Sequence, residues 1–123
     1  MIITKTPFRI SFFGGGTDYP EYFEQHGGAV LATAIDHAAF VSVSHFYSRL
    51  FDYGIRIAYR QVECVQSVDQ IQHAVFRECL RHCGIERDVE INYTAELPSF
   101  SGMGSSSSFV VGLLNALYAF EGR

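Results

Sequence analysis

Positive charge is scarce in this chain. One lysine, Lys5, occurs in 123 residues, and the formal net charge is −4. Such a surface offers no electrostatic footprint for nucleic acid or for an anionic membrane. A long apolar run is also missing from the N-terminus, where Met1-Ile2-Ile3-Thr4-Lys5 meets Pro7 and Arg9 within a few residues, so neither a signal peptide nor a membrane span is expected there. Cysteine is few and odd in number. Cys64, Cys79 and Cys83 fit free thiols in a reducing compartment better than a disulfide framework, and a cytoplasmic location is expected. Internal repeats, low-complexity tracts and charge runs are absent too. What remains is one folded domain by length, 48% hydrophobic and 18% charged, with 11 Phe and 7 Tyr for an aromatic-rich core.

Alternation and β-branched content predict strands over Phe8 to Phe13, Ala29 to Ile35, Ala39 to His45, Arg56 to Val65 and Val89 to Thr94. Between the last two, Asp69 to Cys83 has an apolar stripe through Ile71, Val75, Cys79 and Leu80, with Ser67 or Asp69 to cap its start and Gly84 to end it. That spacing predicts an amphipathic helix. A final helix from about Ser105 to Phe120 is apolar around nearly its whole circumference, and a domain of this size covers one side of it with its sheet. The other side calls for a second domain or another subunit, so a homo-oligomer through the exposed face of this helix is expected.

The segment Pro98-Ser99-Phe100-Ser101-Gly102-Met103-Gly104-Ser105-Ser106-Ser107-Ser108 runs without a break into that helix. A glycine and serine turn at a helix start leaves backbone N–H groups unbonded at the positive end of the helix dipole, which is a place for phosphate. No lysine lies between Glu96 and Arg123, so this is not a Walker loop. Phosphate charge would be neutralised by amides, hydroxyls and a metal ion, with magnesium the expected one. A flexible linker is the plain alternative, although linkers seldom abut so apolar a helix.

A second constellation, Phe8-Arg9-Ile10-Ser11-Phe12-Phe13-Gly14-Gly15-Gly16-Thr17-Asp18-Tyr19-Pro20, places three glycines after a strand and then a hydroxyl and a carboxylate. Such a tight opening suits a sugar, gripped by Thr17 and Asp18, while the planar guanidinium of Arg9 matches a phosphate. The ordinary reading makes Asp18 the N-cap of a short helix over Tyr19 to Gln25 and Arg9 a surface residue. Arg9, Arg56 and Arg60 are candidates for a local anion site.

Together the two constellations resemble the GHMP kinase superfamily. Its glycine motif, Pro-x-x-x-Gly-Leu-Gly-Ser-Ser, is matched from Pro98 to Ser106 with Met103 in the leucine position, and its galactokinase-like first motif is matched at Arg9, Gly14, Thr17, Asp18 and Tyr19. Gly15 and Gly16 stand in place of a Glu-His pair, which argues against galactose. The string Arg-Ile-Ser-Phe-Phe-Gly-Gly-Gly-Thr-Asp-Tyr-Pro, with Ala34-Ile35-Asp36-His37, looks most like the D-glycero-D-manno-heptose 7-phosphate kinase branch.

The resemblance implies an α+β fold, a mixed or mainly antiparallel sheet with helices on one face, like the ribosomal protein S5 domain 2-like N-terminal domain of these kinases. It implies ATP phosphates held by Ser101, Gly102, Met103, Gly104, Ser105, Ser106 and Ser107, with Mg2+ on the Ser106 hydroxyl. The sugar would lie at Gly15, Gly16, Thr17 and Asp18, with Arg9 beside the transferred phosphoryl group. It also implies a magnesium-binding acid, a catalytic base and a C-terminal domain beyond residue 123, so that residues 1–123 form an ATP-binding domain expected to be inactive alone. A nucleotide-binding or assembly module that keeps the fold without the reaction is the alternative.

Other constellations carry less. His73, Cys79, His82 and Cys83 suggest zinc, but Cys79 lies on the apolar stripe and no paired Cys-x-x-Cys knuckles are present. Ser105 to Ser108 lack the Gly-x-Ser-x-Gly elbow of a hydrolase. Glu96 reads as a solvated residue or a base, and Asp36 and Asp52 as turn formers.

Overall fold

A five-stranded sheet with helices packed on it is seen in the computed structural model, which describes residues 1–13, 17, 19–96 and 105–122. The strands are β1 (Ile2–Phe13), β2 (Leu31–His45), β3 (Ile55–Ala58), β4 (Val62–Val65) and β5 (Val89–Ala95). The helices are α1 (Pro20–His26), α2 (Ala74–Cys83) and α3 (Ser105–Phe120). Across the sheet the order is β1-β2-β5-β3-β4, antiparallel at every step except between β5 and β3, which run parallel. The fold is therefore α+β with a mixed, mainly antiparallel sheet, as expected.

Several boundaries differ from the sequence expectation, each for a local reason. The two strands expected over Ala29 to Ile35 and Ala39 to His45 are one strand, β2, because its polar interruption is absorbed by a bulge. Pro7 pairs with Ala38 and Arg9 with Ala34, so Ile35, Asp36 and His37 face Phe8 alone. The single strand expected over Arg56 to Val65 is instead a hairpin, turned where the Tyr59 N–H donates to the Gln61 carbonyl at 2.8 Å. The helix expected from Asp69 begins only at Ala74, after a separate 3-10 turn over Val68–Gln70. Neither Ser67 nor Asp69 caps α2. In their place the Glu63 carboxylate of β4 accepts the Gln72 N–H at 2.6 Å and the His73 N–H at 3.2 Å, putting a negative charge at the positive end of the helix. Gly84 ends α2 as expected, at φ 73° and ψ 22°, with its N–H donating to the carbonyls of Leu80 and Arg81.

Alternate residues of the central strands, Val41 and Val43, Ile55 and Ile57, Val89 and Ile91, meet Phe76 and Leu80 of α2 and Leu113 and Leu117 of α3. All of these are buried, and each such side chain stabilises the fold by roughly 1.5–3 kcal/mol. Around α3 the large apolar residues other than Val111 are buried or half-buried. The stripe left exposed is Ser107, Val111, Asn115 and Ala119, of which only Val111 is a large apolar residue. The bare apolar flank expected of this helix is thus narrow. Among the described residues no helix is long and apolar enough to cross a membrane.

Gly112 sets how closely α3 lies on β1. The Thr4 hydroxyl donates to the Gly112 carbonyl at 2.9 Å, and a Cβ at position 112 would stand 2.7 Å from the Thr6 Oγ1. Gly112→Ala is therefore expected to destabilise the domain by about 1–3 kcal/mol through overpacking, read from urea unfolding midpoints. A loss under about 0.5 kcal/mol would mean that Thr6 turns aside freely.

Candidate functional site

The start of α3 is the first component. Its opening amides, from Ser105 onward, have no carbonyl four residues earlier within the helix, and its first turn holds no acidic side chain to occupy them or oppose a bound anion. Ser107 is exposed, whereas Ser108 is buried and its hydroxyl donates to the Pro7 carbonyl at 3.0 Å. That bond joins residues 101 positions apart and lands two residues before Arg9. The fold thus brings the serine-rich helix start and the strand of the first motif together. Nothing in the sequence separates Ser108 from the three serines before it, so its anchoring role was not legible there.

Arg9 lies on β1, half-buried. On the same strand Thr4 and Thr6 meet Gly112 of α3. Arg9 does not join Arg56 and Arg60 in one anion site. Arg56 is three strands away, about 14 Å at ordinary strand spacing, and its guanidinium donates to the Glu90 carboxylate at 2.9 Å.

Glu96, the residue before the glycine and serine segment, is a tether. Its Oε1 accepts the Ala38 N–H at 2.9 Å and its own N–H donates to the Ala38 carbonyl at 3.1 Å, while Oε2 lies 3.9 Å from the His37 Nδ1. The end of β5 is thereby fixed to the β2 bulge that carries Asp36 and His37.

Of the proposed sugar-binding residues, Thr17 is described, and its hydroxyl meets the Ala29 backbone. The helix after it begins at Pro20, with Tyr19 in the N-cap position, and none of its residues is buried. A cavity of about 340 Å³ lies alongside, lined by Thr17, Phe23, Gly28, Ala29 and Val30. Gly14, Gly15, Gly16, Asp18, Ser101, Gly102, Met103 and Gly104 lie outside the described residues.

Among the described residues no group of three or more His, Cys, Asp or Glu side chains is placed to hold a metal ion. Among the described residues Cys64, Cys79 and Cys83 form no disulfide. Burial, with Cys83 and Glu78 adding, pushes the Cys79 thiol up, which disfavours the thiolate that a metal needs. The His82 Nε2 pairs with the Tyr118 hydroxyl at 2.8 Å. His73 sits among the rings of Tyr59, Phe76 and Phe109, its pKa held below the usual value by burial against the opposing pull of Glu63.

A mixed five-stranded sheet with α2 and α3 packed against its buried face defines an α+β domain. Residues 66–123 match the family of GHMP kinases N terminal domains. Over 100% of this chain and 43% of the other, the fold superposes on a D-glycero-D-manno-heptose 1-phosphate kinase from Bacteriodes thetaiotaomicron, with a TM-score of 0.80 and 24% identity. A putative sugar kinase from Campylobacter jejuni superposes with a TM-score of 0.72 and 21% identity, covering 99% of this chain and 41% of that one. Phosphomevalonate kinase from Streptococcus pneumoniae, in complex with phosphomevalonate and AMPPNP, gives 0.68 and 18%, covering 99% and 37%. No curated protein matches the chain by sequence. The chain has the fold of a GHMP kinase N-terminal domain, its second half carries that family's sequence pattern, and it spans well under half the length of these solved structures.

Proposed function

We propose that this chain is the N-terminal, ATP-binding portion of a sugar kinase that transfers a phosphoryl group to a sugar or sugar-phosphate hydroxyl, with heptose 7-phosphate as acceptor through its anomeric hydroxyl. The observation that carries this reading is the Ser108 to Pro7 bond, which docks the helix start beside the strand of the sugar motif. The residues suit a polyphosphate, since the opening amides of α3 face no acidic side chain in its first turn. Gly102 to Ser107 would hold the ATP phosphates, and Ser106 would share Mg2+ with them. A magnesium ion bound mainly through phosphates needs few protein ligands, and it supplies neutralisation of charge on the transferred group.

The chain's own contribution is placement. Asp18 would fix the sugar hydroxyls, Gly15 and Gly16 would admit the ring closely, and Arg9, on β1, would approach the transferred group. In phosphoryl transfer such positioning and charge neutralisation supply most of the acceleration. The presence of a heptose phosphate kinase and a putative sugar kinase among proteins of this fold supports the acceptor class. Turnover would require polypeptide equivalent to the remaining length of those structures, which leaves residues 1–123 able to bind but not to catalyse.

Calorimetric titration of the chain with AMPPNP and magnesium tests this. Binding with a Kd below about 1 mM is expected, along with no phosphorylation of heptose 7-phosphate. Absence of nucleotide binding would overturn the reading, and turnover by the chain alone would overturn the need for more polypeptide.

A further inference from the structure

Thr17 uses its hydroxyl on the protein itself. Its Oγ1 donates to the Ala29 carbonyl at 3.2 Å and accepts the Ala29 N–H at 3.1 Å. A threonine hydroxyl has one proton and two lone pairs, so the proton that would donate to a sugar is committed to Ala29 and one lone pair is taken as well. The bond closes the neck of the excursion from Thr17 to Ala29 that carries α1, a helix with no buried residue to hold it down. Close approach is possible because position 28 is glycine. A Cβ there would stand 3.0 Å from both the carbonyl oxygen and the Oγ1 of Thr17, and 3.2 Å from its Cβ. Thr17, Gly28 and Ala29 also line the 340 Å³ cavity, whose size falls in the range of small-molecule sites.

We infer that Thr17 is a positioning residue rather than a sugar ligand: its hydroxyl latches the segment that carries Asp18 to the Ala29 backbone, and the bare Gly28 backbone is what lets the latch close. This rests on the sugar-kinase reading for its functional consequence, but not for the latch itself. Thr17→Val keeps the shape of the side chain and removes both bonds. Thr17→Ser keeps the hydroxyl. Gly28→Ala keeps the hydroxyl and wedges the latch apart.

The test measures three quantities on the whole chain, namely exchange of the Ala29 amide by NMR, binding of heptose 7-phosphate, and binding of AMPPNP with magnesium. Thr17→Val and Gly28→Ala are expected to speed Ala29 exchange and to weaken heptose 7-phosphate about tenfold or more, with AMPPNP affinity within about twofold of wild type. Thr17→Ser is expected to restore both exchange and sugar affinity. Loss of sugar affinity in Thr17→Val with Ala29 protection intact would make Thr17 a direct ligand and overturn the inference. Unchanged Ala29 exchange in Thr17→Val overturns the latch whatever the ligand. A wild-type chain that binds neither probe overturns the proposed function alone, because the exchange measurement still decides the latch.

Discussion

Glu63→Ala is expected to cost about 3 kcal/mol, a large share of the 5–15 kcal/mol that holds an ordinary domain together. The carboxylate is buried on β4 and accepts three hydrogen bonds, from the Gln72 N–H at 2.6 Å, the His73 N–H at 3.2 Å and the Tyr59 hydroxyl at 2.7 Å. Removing it deprives three donors of their carboxylate acceptor at a part-buried site, and each bond to a charged acceptor is worth about 1.5–3 kcal/mol before the usual non-additivity. Glu63→Gln, which keeps the shape and one acceptor oxygen, should lose about half as much. Both values are read from urea unfolding midpoints, and a loss under about 1 kcal/mol for the alanine variant would show that water replaces the carboxylate.

The same group leaves a trace in pH. Burial pushes the Glu63 carboxyl up, but the bonds from Gln72, Tyr59 and His73 outweigh it and hold the folded-state pKa below the ordinary 4.5. A depressed carboxylate contributes stability that is present above 4.5 and lost as pH falls through its folded value. Tyr59 works in the opposite sense. Burial first, then its bond to Glu63, raises it from 10.0 to about 12, so its contribution is full below pH 10 and disappears as pH climbs toward 12. Wild type should therefore lose stability at both ends, and Glu63→Ala should flatten the acid limb and shorten the alkaline one.

How far the sequence discloses this molecule depends on the range of the forces involved. The bounds of α3 and the Gly84 cap follow from spacing within one helix, and both were legible. The start of α2 was not, because its acceptor comes from Glu63, nine and ten residues upstream on a strand, while the nearby Ser67 and Asp69 satisfy every local rule for a cap. Likewise Asp36-His37 breaks the alternation of β2, and only pairing with β1 turns that break into a bulge. At the candidate site the residue types and their order were visible in the two motifs. Which hydroxyls are free was not. Thr17 looks like a ligand in a string of letters and Ser108 like the serines before it, yet one bonds Ala29 and the other Pro7, and such commitments appear only when distant segments meet.

Phe76→Ala is expected to cost about 3–5 kcal/mol, the usual price of emptying a fully buried aromatic site. The ring joins α2 to the beginning of α3, with its centroid 4.9 Å from that of Phe109, 4.9 Å from that of His73 and 5.4 Å from that of Tyr59. Phe109 in turn packs on Tyr93 of β5 at 4.6 Å, so a single cluster ties both helices to the sheet one turn beyond Ser105. Such ring pairs add roughly 0.5–1.5 kcal/mol beyond the area they bury, which places this substitution toward the upper part of the range. Phe76→Leu retains most of the volume and should cost no more than about 1.5 kcal/mol. Urea unfolding followed by tyrosine fluorescence distinguishes the two. Equal losses for alanine and leucine would locate the energy in the ring contacts rather than in the filled volume, and a small loss for alanine would mean that Phe109 and His73 close the gap.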